Sequence, residues 1–149
     1  MPPDDNATNT SESKTVLVVE DNPTDVFVIK EVLQSCGCDL RVTIAKDGQE
    51  ALLYLRALVR DTNAECPAVI LLDLNLPKVT GVEVLAEFRK CPRCKRTPVI
   101  IVTSSSAAAD RVMAQRLGAE AYFQKPSDLA AYMGLAQVVR RVLHVGEDL

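Results

Sequence analysis

The sequence predicts an α/β domain with a doubly wound parallel sheet of five strands and five helices. Apolar runs of strand length alternate along the chain with segments whose apolar residues recur at helical spacing, which is typical of this fold class. Right-handed crossovers between the strands favour the order 2-1-3-4-5. Two of the apolar runs end in carboxylates, at Glu20-Asp21 and at Asp73, so we expect chemistry where the strands end.

The first half of the chain is expected to supply three strands and two helices. The strands are predicted over residues 14–20, 39–45 and 68–73, and the helices over residues 24–35 and 47–60. The first and third strands are apolar runs typical of burial on both faces, whereas Leu40, Val42 and Ile44 alternate with polar residues, as in an edge strand. Asn22-Pro23 gives the first helix a cap and a preset first turn, and the second helix has alanine and leucine at helical spacing.

The second half is expected to complete the fold with two strands and three helices. The strands are predicted over residues 98–103 and 121–124, and the helices over residues 82–90, 107–117 and from Ser127-Asp128 onwards. A loop from Asn75 to Gly81 precedes the third helix. Pro126 ends the fifth strand, and Ser127-Asp128 then caps the last helix.

Length and charge limit the class of protein. The 149-residue chain has a net charge of -3, which argues against a broad nucleic-acid or anionic-membrane footprint. Residues 1–13 are polar and contain two prolines, so we expect a disordered tail rather than a signal peptide. Residues 14–149 are expected to form one domain, without an output domain, in the cytoplasm. No apolar run approaches the ~20 residues that a membrane span needs.

The cysteines are expected to be free thiols. Their number is odd and no secretion signal is present, which disfavours a disulfide framework. Cys91 and Cys94 have C-x-x-C spacing, but no second pair completes a four-ligand zinc site. The pair also follows a helical segment and precedes a strand, unlike a redox motif at a helix N-terminus.

Carboxylates from two strand ends are expected to meet in one crevice. In the predicted strand order the first and third strands are neighbours, so Glu20, Asp21 and Asp73 converge, with Asp73 facing solvent. Three negative charges repel unless a cation lies among them, and Mg²⁺ prefers oxygen ligands of this kind. A carboxylate beside such a cation can attack an activated phosphorus and become an aspartyl phosphate.

Two residues at the ends of the fourth and fifth strands fit the same chemistry. Thr103 offers a hydroxyl and Lys125 an ammonium, and both would stabilise the negative charge of a transferred phosphoryl group. Alone, a threonine at a strand end or a lysine before proline is often only structural or solvated. Together with Asp21 and Asp73, at four strand ends in order, the set favours phosphoryl transfer.

These residues resemble the receiver domain of bacterial response regulators, the phosphoacceptors of two-component signalling. The resemblance extends from Lys14 to about Leu143. The matching motifs are Val18-Val-Glu-Asp-Asn-Pro-Thr-Asp25, Leu71-Leu-Asp-Leu-Asn-Leu-Pro77 with Gly81, Val102-Thr-Ser104, and Leu117-Gly-Ala119 leading into Tyr122-Phe-Gln-Lys-Pro126. It implies a flavodoxin-like receiver fold and a protein that is phosphorylated rather than a classical enzyme.

The resemblance also assigns roles. It implies that Asp73 accepts the phosphoryl group from a sensor histidine kinase. Asp21, Asp73 and the Asn75 carbonyl oxygen would bind Mg²⁺ or Mn²⁺, with Glu20 acting through water, although many receivers have Asp at the position of Glu20.

Thr103 and Lys125 would bind the phosphoryl group, and the resemblance makes Tyr122 the switch aromatic, solvent-facing before phosphorylation. Glu20-Asp-Asn-Pro-Thr-Asp25 and Asp73-Leu-Asn-Leu-Pro77 are most similar to small stand-alone receivers that serve phytochrome-type histidine kinases. The expected partner is therefore a bacteriophytochrome.

The last helix is expected to form part of a homodimer interface. One apolar stripe suits the core, although Arg140 lies on it, and a second stripe has no partner within a single domain. The core stripe is Leu129, Tyr132, Met133, Ala136, Val139 and Leu143, and the second is Leu135, Val138, Val142 and Val145. We expect a dimer through the fourth helix, fifth strand and fifth helix, and a solvent-exposed His144; a deeply packed helix is the alternative.

Other functions remain open. A phosphorylation-independent protein-binding adaptor on a receiver fold is the main alternative, but it has no physical need for the full set of acidic, hydroxyl and ammonium groups. A haloacid-dehalogenase-type phosphatase would have an acid at Asn75, two residues after the nucleophile. A flavodoxin-like cofactor binder would have a Ser/Thr/Gly-rich phosphate loop where Glu20-Asp-Asn-Pro stands.

Overall fold

One parallel sheet of five strands forms the centre of the domain. The structure is a computed structural model and describes residues 14–144, with side chains to residue 143. The strands are β1 (Lys14–Val19), β2 (Leu40–Ala45), β3 (Val69–Leu72), β4 (Val99–Thr103) and β5 (Ala121–Gln124). Their order is β2-β1-β3-β4-β5, and every pairing is parallel, which confirms the predicted topology. The predicted tail over residues 1–13, Val145 and the side chain of His144 lie outside the described residues.

Helices connect the strands and cover both faces of the sheet. They are α1 (Pro23–Ser35), α2 (Gly48–Arg60), α3 (Gly81–Lys90), α4 (Ala108–Arg116), α5 (Leu129–Tyr132) and α6 (Leu135–His144). The predicted fifth helix therefore consists of two segments, α5 and α6, separated by Met133-Gly134. No helix in the described part of the chain is long and apolar enough to cross a membrane.

Side-chain caps begin the first three helices close to the carboxyl ends of the strands. The Asn22 side chain accepts hydrogen bonds from the Thr24 and Asp25 amides, with Pro23 in the first turn, as the sequence predicts. Asp47 caps α2, and Thr80 caps α3 in a capping box with Glu83. Each cap of this kind contributes roughly 1 kcal/mol and sets where its helix begins.

Two hydrophobic cores lie on opposite faces of the sheet. Alternate residues of β1, β3 and β4 point to each side, so Leu17 and Leu72 pack with α2, α3 and α4, whereas Val18 and Leu71 pack with α1, α5 and α6. Burial of these strands on both faces explains their continuous apolar sequence. Phe88 of α3 is fully buried, and burial of such a side chain contributes about 2–3 kcal/mol.

Strand register brings the strand ends together. Val19 lies opposite Leu72, and the Asp73 amide donates to the Val19 carbonyl, so the residues that follow β1 and β3 start side by side. The Lys125 amide donates to the Thr103 carbonyl at 2.7 Å and extends the β4–β5 ladder in the same way. Gly81 packs against this edge, because a Cβ there would lie 2.3 Å from the Asp73 carbonyl oxygen.

The cysteine prediction was wrong for one pair. Cys66, in the loop before β3, forms a disulfide with Cys94, in the loop after α3, with 5.7 Å between their Cα atoms. Both loops lie at the amino-terminal edge of the sheet, a proximity that sequence spacing does not reveal. Cys36, Cys38 and Cys91 are free, so the C-x-x-C residues are not bonded to each other.

The two apolar stripes predicted for the last helix are not separate surfaces. Leu135, assigned to the outer stripe, is fully buried in the α1 side of the core, and Val138 and Val142 pack against the same cluster. Leu129, assigned to the core stripe, is 60% exposed. Arg140 fits the core face because its guanidinium donates to the Cys36 carbonyl at 2.7 Å, where α1 ends.

Candidate functional site

The acidic residues lie where β1 and β3 end, as predicted, but two of them are buried. Asp73 is 5% exposed and Glu20 is 1% exposed, so the expectation that Asp73 faces solvent was wrong. The α3 N-terminus packs against the backbone of Asp73 at Gly81, and Lys125 lies against both carboxylates. Asp21 is the exposed member of the group.

Glu20, Asp21 and Asp73 form a cluster that fits a divalent cation. One carboxylate oxygen from each lies within 4.8 Å of the others. Within the described residues Glu20 Oε1 is buried and accepts no hydrogen bond, which suits an oxygen whose partners are cations. Hard oxygen donors of this kind suit Mg²⁺ or Mn²⁺.

Asn75 lies beside Asp73. Its amide donates to Asp73 Oδ1 at 3.0 Å and orients that carboxylate.

Lys125 neutralises much of this negative charge. Its Nζ lies 2.9 Å from Glu20 Oε1, 2.9 Å from Asp25 Oδ2 and 2.9 Å from Asp73 Oδ2. The Glu20 contact is an ion pair without hydrogen-bond geometry. Burial alone would lower the pKa of Lys125, but its close contacts with the three carboxylates outweigh that effect and hold the pKa above its ordinary value. Lys125 is therefore a cation in direct contact with the Asp73 carboxylate.

Burial changes the protonation of Glu20. Desolvation is the main cause that raises the pKa of Glu20 to about 7, with repulsion from Asp73 added and the Lys125 contact opposing it. The charged form of Glu20 is therefore costly in the metal-free protein. A divalent cation in the cluster would favour that charged form.

Thr103 presents its hydroxyl at the end of β4. The residue is fully buried, and its Oγ1 accepts from Asn75 Nδ2 at 3.3 Å and from the Ser105 amide at 3.4 Å. Because both contacts use Oγ1 as an acceptor, the hydroxyl proton is available for an oxygen placed beside Asp73.

Tyr122 is not solvent-facing, in contrast to the expectation from the resemblance. Its hydroxyl donates to the Ser105 carbonyl at 3.0 Å, and the Arg111 guanidinium lies 4.3 Å from the ring centroid. The ring also packs against the core on the α2, α3 and α4 side. Ser105 in turn donates to Asp110 at 2.6 Å, so Tyr122 is joined to the loop that follows Thr103.

Sequence reasoning missed two residues near Asp73. Asp25 of α1 accepts from Lys125, and the Tyr132 hydroxyl of α5 donates to Asp25 Oδ1 at 3.1 Å. Burial is the main cause that raises the pKa of Tyr132, with Asp25 adding to it. Asp25 could have been predicted, because it is an acid in the first turn of the helix that follows the first strand. Tyr132 was assigned only to the core.

A family model for the response regulator receiver domain matches residues 16–137. Response regulator Rcp1 of Synechocystis sp. is 36% identical over 124 residues, which are 83% of this chain and 84% of Rcp1. The crystal structure of the phosphorylated cyanobacterial phytochrome response regulator RcpA has a TM-score of 0.78 and 36% identity, and the match covers 87% of this chain and 92% of RcpA. The Mn²⁺-bound form of Rcp1 has a TM-score of 0.76 and 35% identity, with 86% and 92% covered.

Proposed function

Because this chain belongs to the response regulator receiver domain family, we propose that it accepts a phosphoryl group on Asp73 from the phosphohistidine of a sensor histidine kinase. The observation that supports the proposal is the position of Asp73. Its carboxylate lies within 4.8 Å of two further acids, and its Oδ2 lies 2.9 Å from Lys125 Nζ. In this proposal the protein is a phosphoacceptor in signalling rather than a classical enzyme.

The proposed transfer is a substitution at phosphorus. An oxygen of the Asp73 carboxylate forms a bond to phosphorus as the phosphorus–nitrogen bond of the phosphohistidine breaks. The imidazole nitrogen leaves with the bonding electron pair and is protonated by solvent. Later attack of water on phosphorus breaks the acyl phosphate, which returns the carboxylate and releases inorganic phosphate.

The charged side chains stabilise the phosphoryl group in this proposal. The Lys125 ammonium pairs with one phosphoryl oxygen, and the Thr103 hydroxyl donates to another. Asp21, Asp73 and the Asn75 carbonyl oxygen would hold Mg²⁺, with Glu20 acting through water. The ion would neutralise negative charge on the phosphoryl oxygens. Support for a metal here comes from the acidic cluster and from the Mn²⁺-bound form of the similar Rcp1.

Phosphorylation is proposed to signal through the loop after β4. A phosphoryl oxygen that accepts a hydrogen bond from the Thr103 hydroxyl would draw Thr103 away from Asn75. The hydrogen bond between Asn75 and Thr103 is long, at 3.3 Å, and is therefore easily broken. Since the Tyr122 hydroxyl is bonded to the Ser105 carbonyl, the movement would change the surface formed by α4 and β5. Tyr122 is thus the proposed switch aromatic, although it starts from a half-buried position.

The proposed partners are a bacteriophytochrome-type kinase and a second copy of this chain. The kinase class is supported by the similarity to the cyanobacterial phytochrome response regulator RcpA. A homodimer would use α4, β5 and the last helix, where Val112 and Met113 of α4 are 45% and 41% exposed. Sedimentation as a monomer at micromolar concentration, before and after phosphorylation, would remove the dimer from the proposal.

Phosphorylation with a small donor tests the proposed function. The protein and Asp73→Asn are incubated with acetyl phosphate and Mg²⁺, and adducts are measured by intact mass and by phosphate-affinity gel. A single acid-stable, base-labile phosphoryl group on the wild type alone is the expected result. If the wild type has no adduct from acetyl phosphate or a phytochrome-type kinase, the phosphorylation-independent adaptor becomes the better function.

A further inference from the structure

Lys125 contacts three carboxylates, and the proposed phosphoryl transfer assigns no role to one of them, Asp25. Asp73 is the proposed acceptor, and Glu20 belongs to the acidic cluster that fits a metal ion. Asp25 lies outside that cluster, although its Oδ2 is 2.9 Å from Lys125 Nζ. Its contact with Lys125 therefore does not have to change when a cation or a phosphoryl group binds.

Tyr132 occupies the other oxygen of the same carboxylate. Its hydroxyl donates to Asp25 Oδ1 at 3.1 Å, while Lys125 is bonded to Oδ2. Tyr132 is only 5% exposed, and its ring centroid lies 5.9 Å from that of Phe123 in β5. The orientation of Asp25 is thus set from one side by Lys125, which directly follows β5, and from the other by Tyr132 of α5.

A fixed partner matters because Lys125 has a flexible side chain. An ammonium has three N–H donors on a chain of four methylene groups, so it is poorly preorganised compared with arginine. In the unphosphorylated protein one N–H group of Lys125 donates to Asp73. When Asp73 becomes an acyl phosphate, the new phosphoryl oxygens compete with the Asp73 oxygen for that N–H group. A Lys125 without Asp25 would have to find that position at each transfer, and misplacement by about 1 Å can reduce a rate severely.

We propose that Asp25 and Tyr132 form a positioning pair that holds the Lys125 ammonium over the acceptor during phosphoryl transfer. The inference rests on the proposed phosphoacceptor function of Asp73 and gives roles to Asp25 and Tyr132, neither of which belongs to the proposed set of acceptor, metal and phosphoryl ligands. Neither side chain contacts the reacting atoms. Both act through the geometry of Lys125, so their loss lowers the maximal rate and leaves binding of the cation unchanged.

The test measures the initial rate of Asp73 phosphorylation against acetyl phosphate concentration at saturating Mg²⁺. The variants are Asp25→Ala, Asp25→Asn and Tyr132→Phe. Tyr54→Phe is the matched control, because it removes the same hydroxyl group from a half-buried tyrosine that packs on the opposite face of the sheet. Mg²⁺ affinity is measured for each variant by calorimetry.

The maximal rate is expected to fall about tenfold in Asp25→Ala and about threefold in Tyr132→Phe. Asp25→Asn should lie between wild type and Asp25→Ala, because its amide oxygen still accepts from Lys125. Mg²⁺ affinity and the Tyr54→Phe rate should equal the wild-type values. A merely structural defect would not change the maximal rate alone while cation binding is preserved.

A wild-type maximal rate in folded Asp25→Ala or in Tyr132→Phe would overturn the positioning pair. A loss of Mg²⁺ affinity in Asp25→Ala as large as its loss of rate would also overturn it, since that result would place Asp25 in the metal site. If Asp25→Ala does not fold, Asp25→Asn and Tyr132→Phe decide the question in the same way. An adduct on the wild type and none on Asp73→Asn supports the proposed function whatever these variants do. No adduct on the wild type rejects both proposals together.

Discussion

Lys125 Nζ lies 2.9 Å from Asp73 Oδ2, and the two side chains are 10% and 6% exposed. The same ammonium lies 2.9 Å from Glu20 and 2.9 Å from Asp25, so one cation balances two buried acids and the half-buried Asp25. Such a cluster is stable only with its positively charged member, because each buried charge left without a partner lowers the free energy of unfolding. The stability of the domain and the acceptor chemistry proposed for Asp73 therefore depend on the same lysine.

Lys125→Met should lower the free energy of unfolding by about 3 kcal/mol in magnesium-free buffer, because it leaves buried carboxylates without their cation. Saturating Mg²⁺ should recover part of that loss by neutralising the same acids. Urea denaturation with and without Mg²⁺ measures both effects.

Lys90→Met is the control for the loss of a lysine. Its pair with Glu87 is exposed, so the free energy of unfolding should change by no more than about 0.5 kcal/mol. Equal stabilities of Lys125→Met and Lys90→Met would show that the buried cluster does not contribute to folding.

Mg²⁺ should raise the melting temperature of the wild type, because a ligand that binds only the folded state stabilises it, by ~2.7 kcal/mol at a hundred times its Kd. Asp21→Asn should lose most of this shift while folding normally, since Asp21 is the exposed member of the cluster. Differential scanning fluorimetry over a Mg²⁺ titration measures the shift.

Asp47→Asn serves as the matched control for this titration. Asp47 caps α2, and asparagine is an equally good cap, so stability and the Mg²⁺ shift should both be retained. A full Mg²⁺ shift in Asp21→Asn would argue against Asp21 as a ligand.

Gly81→Ala should destabilise the domain by about 2–3 kcal/mol through overpacking. The new Cβ would lie 2.3 Å from the Asp73 carbonyl oxygen and 2.6 Å from the Leu74 Cα, and backbone atoms cannot move aside cheaply. Because the clash is with Asp73, the proposed acceptor, the phosphorylation rate of the folded fraction should also fall.

Gly37→Ala provides the comparison, since a Cβ there has nothing within 4 Å and only the positive φ of +77° opposes it. We expect a loss of about 1 kcal/mol for that variant, from the left-handed backbone, and a wild-type phosphorylation rate. Chemical denaturation that ranks Gly37→Ala as the more damaging change would contradict the close packing at Gly81.

Cys66→Ser should lower stability by about 2–4 kcal/mol under non-reducing conditions, because the disulfide to Cys94 restricts the unfolded chain across a separation of 28 residues. Peptide mapping without reductant should recover the linked pair. Adding reductant should bring the wild type to the stability of the variant.

Cys38→Ser should keep the wild-type response to reductant, since Cys38 is a free thiol. A melting temperature of the wild type that does not depend on reductant, together with unlinked peptides, would count against the disulfide in solution.

Much of the fold could be predicted because its signals are local. Continuous apolar runs identified β1, β3 and β4, and alternation identified β2 as an edge strand. The cap at Asn22 and the stop at Pro126 set element ends to within one or two residues. The break within the last helix was missed, because Met133-Gly134 interrupts a periodicity that continues on both sides.

The candidate site was predictable in its acidic part for a related reason. Strand order places the ends of β1 and β3 together, so Glu20, Asp21 and Asp73 could be joined from topology alone. The burial of Glu20 and Asp73 could not be predicted in the same way, because it depends on tertiary contacts such as those with Lys125. The buried position of Tyr122 likewise depends on the conformation of the loop at Ser105.

The sequence by itself determined the element order and the strand topology, and it predicted the group that is proposed as the acceptor, because periodicity and strand-end chemistry depend on neighbouring residues and on handedness rules. Only the tertiary structure decided which side chains meet across the sheet. Asp25 contacts Lys125 over 100 residues and Tyr132 over 107 residues of chain, and Cys66 contacts Cys94 across two loops. Such contacts depend on register and side-chain packing to within an ångström, which no local pattern encodes.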